Sequence, residues 1–152
     1  MKRPPALLRL MDANANRAFE GLRVCEELMR FHWKAPRAFR RLRALRHGLA
    51  KALKQLPVAP EQLVAARESL SDLGRDARPT HVSSLDQLLR VNLQRVKEAL
   101  RTLEECSRLL APRHTPAFQR LRFRTYDVER ELIAFASRKR STEISLREIS
   151  HR

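Results

Sequence analysis

The sequence predicts an all-α protein, a helical bundle built from two repeated helical hairpins with internal pseudo-two-fold symmetry. Three observations carry that prediction. The chain has three glycines in 152 residues and is rich in Leu, Ala, Arg and Glu, residues that lose little by entering a helix. Apolar positions recur at helical spacing along four long segments. The stretch NANRAFEGLRVCEELMR (14–30) also returns as NLQRVKEALRTLEECSR (92–108). Between 13–31 and 91–109, eight of nineteen positions are identical at a constant offset of 78.

The first helix is expected from about Pro5 to Phe31, because proline suits a first helical turn. The second follows Pro36, in RAFRRLRALRHGLAKAL. The third starts at Ser84, where Ser84 and Gln87 have the spacing of a capping box, and runs to about Leu110. The fourth follows Pro116. Ala38, Phe39, Leu42 and Arg43 recur as Ala117, Phe118, Leu121 and Arg122, so the duplication covers whole hairpins, at about 5–56 and 84–138. Neither hairpin can bury its apolar stripe alone, and each covers the other in one domain of residues 1–138. Residues 57–83 gather Pro, Ser, Asp and Gly and read as a connecting loop, while 139–152 read as a basic, frayed tail or linker.

Hydrophobic residues make up 43% and charged residues 32%, a globular composition. The net charge of +15 and pI near 11.4 point to an anionic partner: nucleic acid, acidic lipid or a phosphorylated small molecule. Cys25 and Cys106 lie in apolar patterns and read as core residues rather than a disulfide. The opening MKRPPALLRL lacks the apolar stretch of a signal peptide, and no run of eighteen apolar residues exists, so a cytosolic protein without a membrane span is expected.

At 100° per residue, Asn92, Val96, Ala99, Leu103, Cys106 and Leu110 share one core stripe, and Asn14, Ala18, Gly21, Cys25 and Leu28 share its counterpart. Gly21 and Ala99 are the small residues that let the two long helices approach. Asn92 lies two turns inside its helix, too deep to be a cap, so a buried partner or a ligand must satisfy it. Arg17 and Arg95 flank the stripes. Glu20, Arg23, Glu27 and Arg30, mirrored by Glu98, Arg101, Glu105 and Arg108, form a second line, which ordinary surface pairing at i+3 and i+4 explains best for the last two of each set. Arg67, Asp72 and Gly74 in AARESLSDLG form a loop able to bind phosphate and a cation. Arg122 and Tyr126 share a face of the last helix, either as a phosphate contact or as a surface pair. Walker, dinucleotide-binding, CxxC and HExxH motifs are all missing, the five histidines are scattered, and aromatics are few, which argues against zinc and single-stranded nucleic acid.

MDANANRAFEGLRVCEELMRF, AARESLSDLG, VNLQRVKEALRTLEECSRLL and FQRLRFRTYDVERELI resemble, in that order, the helical domain found N-terminal to thiamine-phosphate synthase in some bacteria. The resemblance covers roughly residues 8–135. It implies an alternative hydroxymethylpyrimidine phosphate kinase, using ATP and Mg²⁺ to make the diphosphate for thiamine synthesis. The sequence departs from the family in carrying Glu68–Ser69 in place of Asp-Thr, and Phe123 in place of Tyr between Arg122 and Arg124. No (β/α)₈ synthase barrel is expected from these residues.

Under that resemblance, Arg17, Arg67 and Arg95, with Arg23 and Arg101, neutralise phosphoryl charge without a P-loop. Asp72, Glu20 and Glu98 are the carboxylates for Mg²⁺, Asp72 also being counted in the catalytic set. Asn14 or Asn92 hydrogen-bonds the aminopyrimidine, and Arg122 and Tyr126 complete the substrate contacts. The site is expected between the hairpins, one half taking nucleotide and the other substrate. Two other readings stand beside this one: a non-catalytic phosphate-ligand module partnering a separate thiamine-phosphate synthase, and a basic module on nucleic acid. The second is disfavoured, because much of the excess Arg lies on a face that solvent alone explains.

Overall fold

The computed structural model describes residues 3–150, and among them the regular structure is entirely helical. Helix α1 spans Pro5–Glu27 and passes into a π-helical turn at Leu28–His32. Helix α2 spans Pro36–Lys54, and the short α3 spans Pro60–Ala65 inside the segment expected to be loop. Helix α4 spans Leu85–Leu110, and after a 3₁₀ turn at Pro112–His114 helix α5 runs from Thr115 to Ser150.

Starts and stops follow local chemistry. Pro5, Pro36 and Pro60 each occupy a first turn, where a missing N–H costs nothing. Ser84 caps α4 by accepting from the Gln87 N–H at 3.0 Å. The return half of the expected box is displaced by one residue, since Gln87 Oε1 accepts from the Ser83 N–H at 2.8 Å. Between α1 and α2 the π turn closes through Trp33 N–H to Leu28 O at 3.1 Å, and Lys34 then takes a left-handed φ of 50°. That conformation costs a non-glycine residue about 1 kcal/mol.

The architecture is two layers of two helices. α1 packs on α2, α4 on α5, α1 on α4, and α2 on α5, with α1 on α4 the largest interface. Those two run antiparallel: Gly21 lies against Asn92 and Val96, while Cys25 Sγ lies 3.9 Å from the Leu89 carbonyl. The predicted stripes face this seam, and every member is buried except Leu110, which is half-buried. Leu42, Leu45 and Leu49 from α2 and Phe118, Leu121 and Leu132 from α5 close the core beneath it. Each such side chain contributes about 1.5–3 kcal/mol on burial. The tail differs from expectation. α5 stays helical to Ser150, although every residue from 138 to 150 is exposed.

A β-carbon added at Gly21 would stand 2.8 Å from Val96 Cγ2 and 3.1 Å from the Asn92 carbonyl oxygen, so α4 would have to shift. Gly21→Ala is therefore expected to destabilise the protein by about 1–3 kcal/mol in urea melts, against the roughly 1 kcal/mol that helix propensity alone would gain. A more stable variant would show that the seam is not tight. Burial also pushes the Cys25 thiol from 9.0 up to about 12. Its folded pKa exceeds the unfolded one, so its contribution is complete below pH 9 and declines as pH rises towards 12. Stability measured between pH 8 and about 10.5 should accordingly fall more steeply in the parent than in Cys25→Ala.

Candidate functional site

Segment 66–76 folds back onto the outer side of α1. Arg67 donates twice to the buried Asp12 carboxylate, Nε to Oδ2 at 2.6 Å and Nη2 to Oδ1 at 2.9 Å. Arg9 sits 3.5 Å from Asp72 Oδ2 and 3.6 Å from Glu68 Oε2. Asp72 Oδ1 accepts from the Gly74 N–H at 2.8 Å, and Arg75 reaches the Ser69 carbonyl at 3.0 Å. Arg67 and Asp72, expected to meet phosphate and metal, are thus held as anchors of the loop. Their counterparts on α1, Asp12 for Arg67 and Arg9 for Asp72, were singled out by no pattern in the sequence.

Farther along the same side of α1 lies an open groove of about 950 Å³. Phe19 and Val24 of α1, Leu28 and Phe31 of the π turn that follows it, and Leu85 and Leu88 of α4 form its apolar walls, and Glu20, Arg23, Glu27, His32 and Arg46 its polar edge. Glu27 Oε1 is buried there without a hydrogen-bond partner. Arg23 Nε approaches it only to 3.4 Å, beyond good hydrogen-bond length. The sequence assigned Glu27 to a solvated ladder. The neglected signal was the apolar set Phe19, Val24 and Phe31, which lies off the core stripe that ends at Leu28.

Asn14 and Asn92 are both buried, and each donates its amide to the carbonyl four residues back, Leu10 and Leu88, at 2.9 Å. Asn92 lies against Gly21, whereas Asn14 is two turns nearer the N-terminus of α1, so the structure does not bring them together. Arg17 and Arg95 are exposed and, among the described residues, form no ion pair. On each helix they flank the stripe opposite Glu26 and Glu104, which face α2 and α5. They therefore occupy the side of the α1–α4 pair turned away from α2 and α5. Glu98 is exposed and accepts from Gln94 on its own helix at 2.9 Å, and Arg101 pairs with Glu105 at 2.8 Å. Glu20, Glu98 and Asp72 do not converge. Among the described residues no three His, Cys, Asp or Glu side chains form a metal-binding group, because Asp72 is held by Arg9 on α1 while Glu98 projects from α4.

Two further ion pairs that the sequence did not reveal are buried between the layers. Glu26 is fully buried and receives Arg46 Nε at 2.5 Å and Nη2 at 3.2 Å. Glu104, its repeat equivalent, receives Arg122 Nε at 2.6 Å and Nη2 at 3.2 Å. Arg122 corresponds in sequence to Arg43, yet the partner of Glu26 comes from one turn later, at Arg46. Hydrogen bonding to the glutamates raises the pKa of both arginines above the ordinary value, with Tyr126 adding to the effect on Arg122. Arg122 is thereby committed to Glu104, and Tyr126 stands beside it at 3.3 Å.

Comparison with known proteins now bears on this geometry. The ThiD2 family model matches residues 9–131. Among relatives, the chain is 36% identical to the thiamine-phosphate synthase of Synechocystis over 94% of its own length and 41% of that protein. It is 38% identical to that of Nostoc punctiforme over 82% of its length and 35% of that protein, and 37% identical to that of Gloeobacter violaceus over 81% and 35%. The chain thus spans about two-fifths or less of the relatives it matches. No solved structure matches it significantly.

Removing one partner of a buried pair leaves an uncompensated charge, at a cost of about 3–5 kcal/mol. Arg46→Met should therefore destabilise the fold by about 3 kcal/mol, whereas Arg43→Met, at the exposed repeat-equivalent position, should stay within about 0.5 kcal/mol. Equal losses in urea titrations of the two variants would show that the pair contributes nothing special.

Proposed function

The chain belongs to the ThiD2 family, and from that footing we propose that it catalyses ATP-dependent phosphorylation of hydroxymethylpyrimidine phosphate to the diphosphate, in thiamine synthesis. The observation that carries the reading is the α1 groove with its orphan acceptor. A planar aminopyrimidine would rest on Val24, Leu28 and Leu88, with its exocyclic N–H group turned to the Glu27 carboxylate, whose Oε1 has no hydrogen-bond donor. The substrate phosphate then competes with Glu27 for the loosely held Arg23. Arg17 lies on the helical line of Val24, about 10 Å before it. With Arg95 it offers unpaired charge to the nucleotide phosphates. The γ-phosphoryl group passes from ATP to a phosphate oxygen of the substrate and ADP leaves, a transfer that positioning and charge neutralisation can promote.

No protein metal centre is assigned, since the three expected carboxylates do not gather. Mg²⁺ would be carried by the nucleotide phosphates, with Glu20 on the groove edge as the carboxylate on the same helix as Arg17. The matched amide bonds of Asn14 and Asn92 and the matched burial of Glu26 and Glu104 support reading the halves as related by an approximate two-fold. The loop is anchored on the first half alone. The names of the relatives support a working association with a thiamine-phosphate synthase. The commitment of Arg67 to Asp12 and of Arg122 to Glu104 favours, as a second reading, a non-catalytic module that binds the same pyrimidine for such a partner.

Incubation with ATP, Mg²⁺ and the pyrimidine monophosphate should yield the diphosphate. Glu27→Ala should raise KM for the pyrimidine by about 10- to 100-fold with helicity unchanged, the scale of one hydrogen bond to a charged group. Thermal stabilisation by the pyrimidine without turnover would replace the kinase by the binding module. Neither stabilisation nor turnover would remove both.

A further inference from the structure

A second cavity, of about 580 Å³, lies between the start of α2 and the last buried turns of α5. Arg37, Arg130 and Arg138 line it, and Leu132 and Phe135 give it an apolar wall. All three arginines are exposed and, among the described residues, form no ion pair. The one carboxylate in the lining, Glu131, is already taken by Arg41 from α2. That hydrogen bond holds its carboxyl below the usual range, and the charges of Arg37 and Arg130 act in the same direction.

The cavity also receives the N-terminus of α2, whose first turn has neither a side-chain cap nor an acidic residue. Both devices normally offset the exposed N–H groups and the positive end of the helix dipole. Here arginines stand in their place, so like charges accumulate where a helix favours an anion. The strained Lys34 turn aims α2 into this position.

We propose that this cavity is a second anion site, apart from the α1 groove, taking a small phosphorylated molecule with a flat apolar part. The phosphate lies among Arg37, Arg130 and Arg138, and the apolar part rests on Phe135. Three charge-assisted donors and one aromatic wall suit a phosphate ester better than a bare ion.

The probes are phenyl phosphate and inorganic pyrophosphate, titrated calorimetrically into the full chain at low salt. Both should bind the parent and weaken about tenfold or more in Arg130→Ala and Arg37→Ala, while Arg78→Ala, at an exposed loop arginine outside both sites, binds them as the parent does. Phe135→Ala should weaken phenyl phosphate but leave pyrophosphate unchanged. Circular dichroism checks that each variant folds. No binding to the parent, or binding that survives the cavity variants and disappears in Arg17→Ala, overturns the proposal. Turnover and the Glu27→Ala result judge the kinase reading separately, so either can fail alone.

Discussion

The structure depends on how closely α1 can approach α4. That approach is set at Gly21, where the absence of a side chain lets the helix lie against the Asn92 carbonyl and Val96. From this crossing the antiparallel register propagates to Cys25 and Leu89 on one side and to Asn14 on the other. The two asparagines fit this geometry. Each lies on a buried stripe and returns its amide to its own helix, so the seam stays dry and close without an orphan donor. A ligand for either would have to displace that local bond or use the amide oxygen.

The second layer is tied to the first by charge as well as by apolar packing. Glu26 and Glu104 are set into the core side of α1 and α4, and arginines from α2 and α5 cover them. Buried pairs of this kind are weak sources of net stability, yet an uncompensated member is costly. They therefore fix which turn of α2 faces α1 and which turn of α5 faces α4. The displaced partner, Arg46 rather than Arg43, shows that duplicated hairpins can keep a requirement while moving the residue that meets it.

The distribution of charge has a functional consequence. Four of the eight repeated arginines pair within the protein: Arg23 loosely with Glu27, Arg101 and Arg108 with Glu105, and Arg122 with Glu104. Arg17, Arg95 and the arginines of the α2–α5 cavity are among the exposed arginines that form no ion pair among the described residues. Loop anchoring adds an asymmetry, because Asp12 and Arg9 capture Arg67, Asp72 and Glu68 on α1. The half that carries the groove also carries the loop, and α4 keeps a solvent-facing ladder in the corresponding place.

By itself the sequence determined the four long helices and their core faces, though not the short α3 or the exposed last turns of α5, because apolar spacing, proline and a serine cap act over a few residues. The stripes from Asn14 to Leu28 and from Asn92 to Cys106 are buried as read, and Gly21 sits at the close approach. The resemblance placed the chain in its family, and the family match agrees. Which charged residue pairs with which was decided only by tertiary structure. Glu27 and Glu26 are adjacent on a rising helix, yet one faces the groove and the other the core. Asp12 finds Arg67 across 55 residues, and Arg46 replaces Arg43. A carboxylate looks the same in sequence whether water, an arginine or a ligand will satisfy it, and only the packing of distant segments removes water from one and not another.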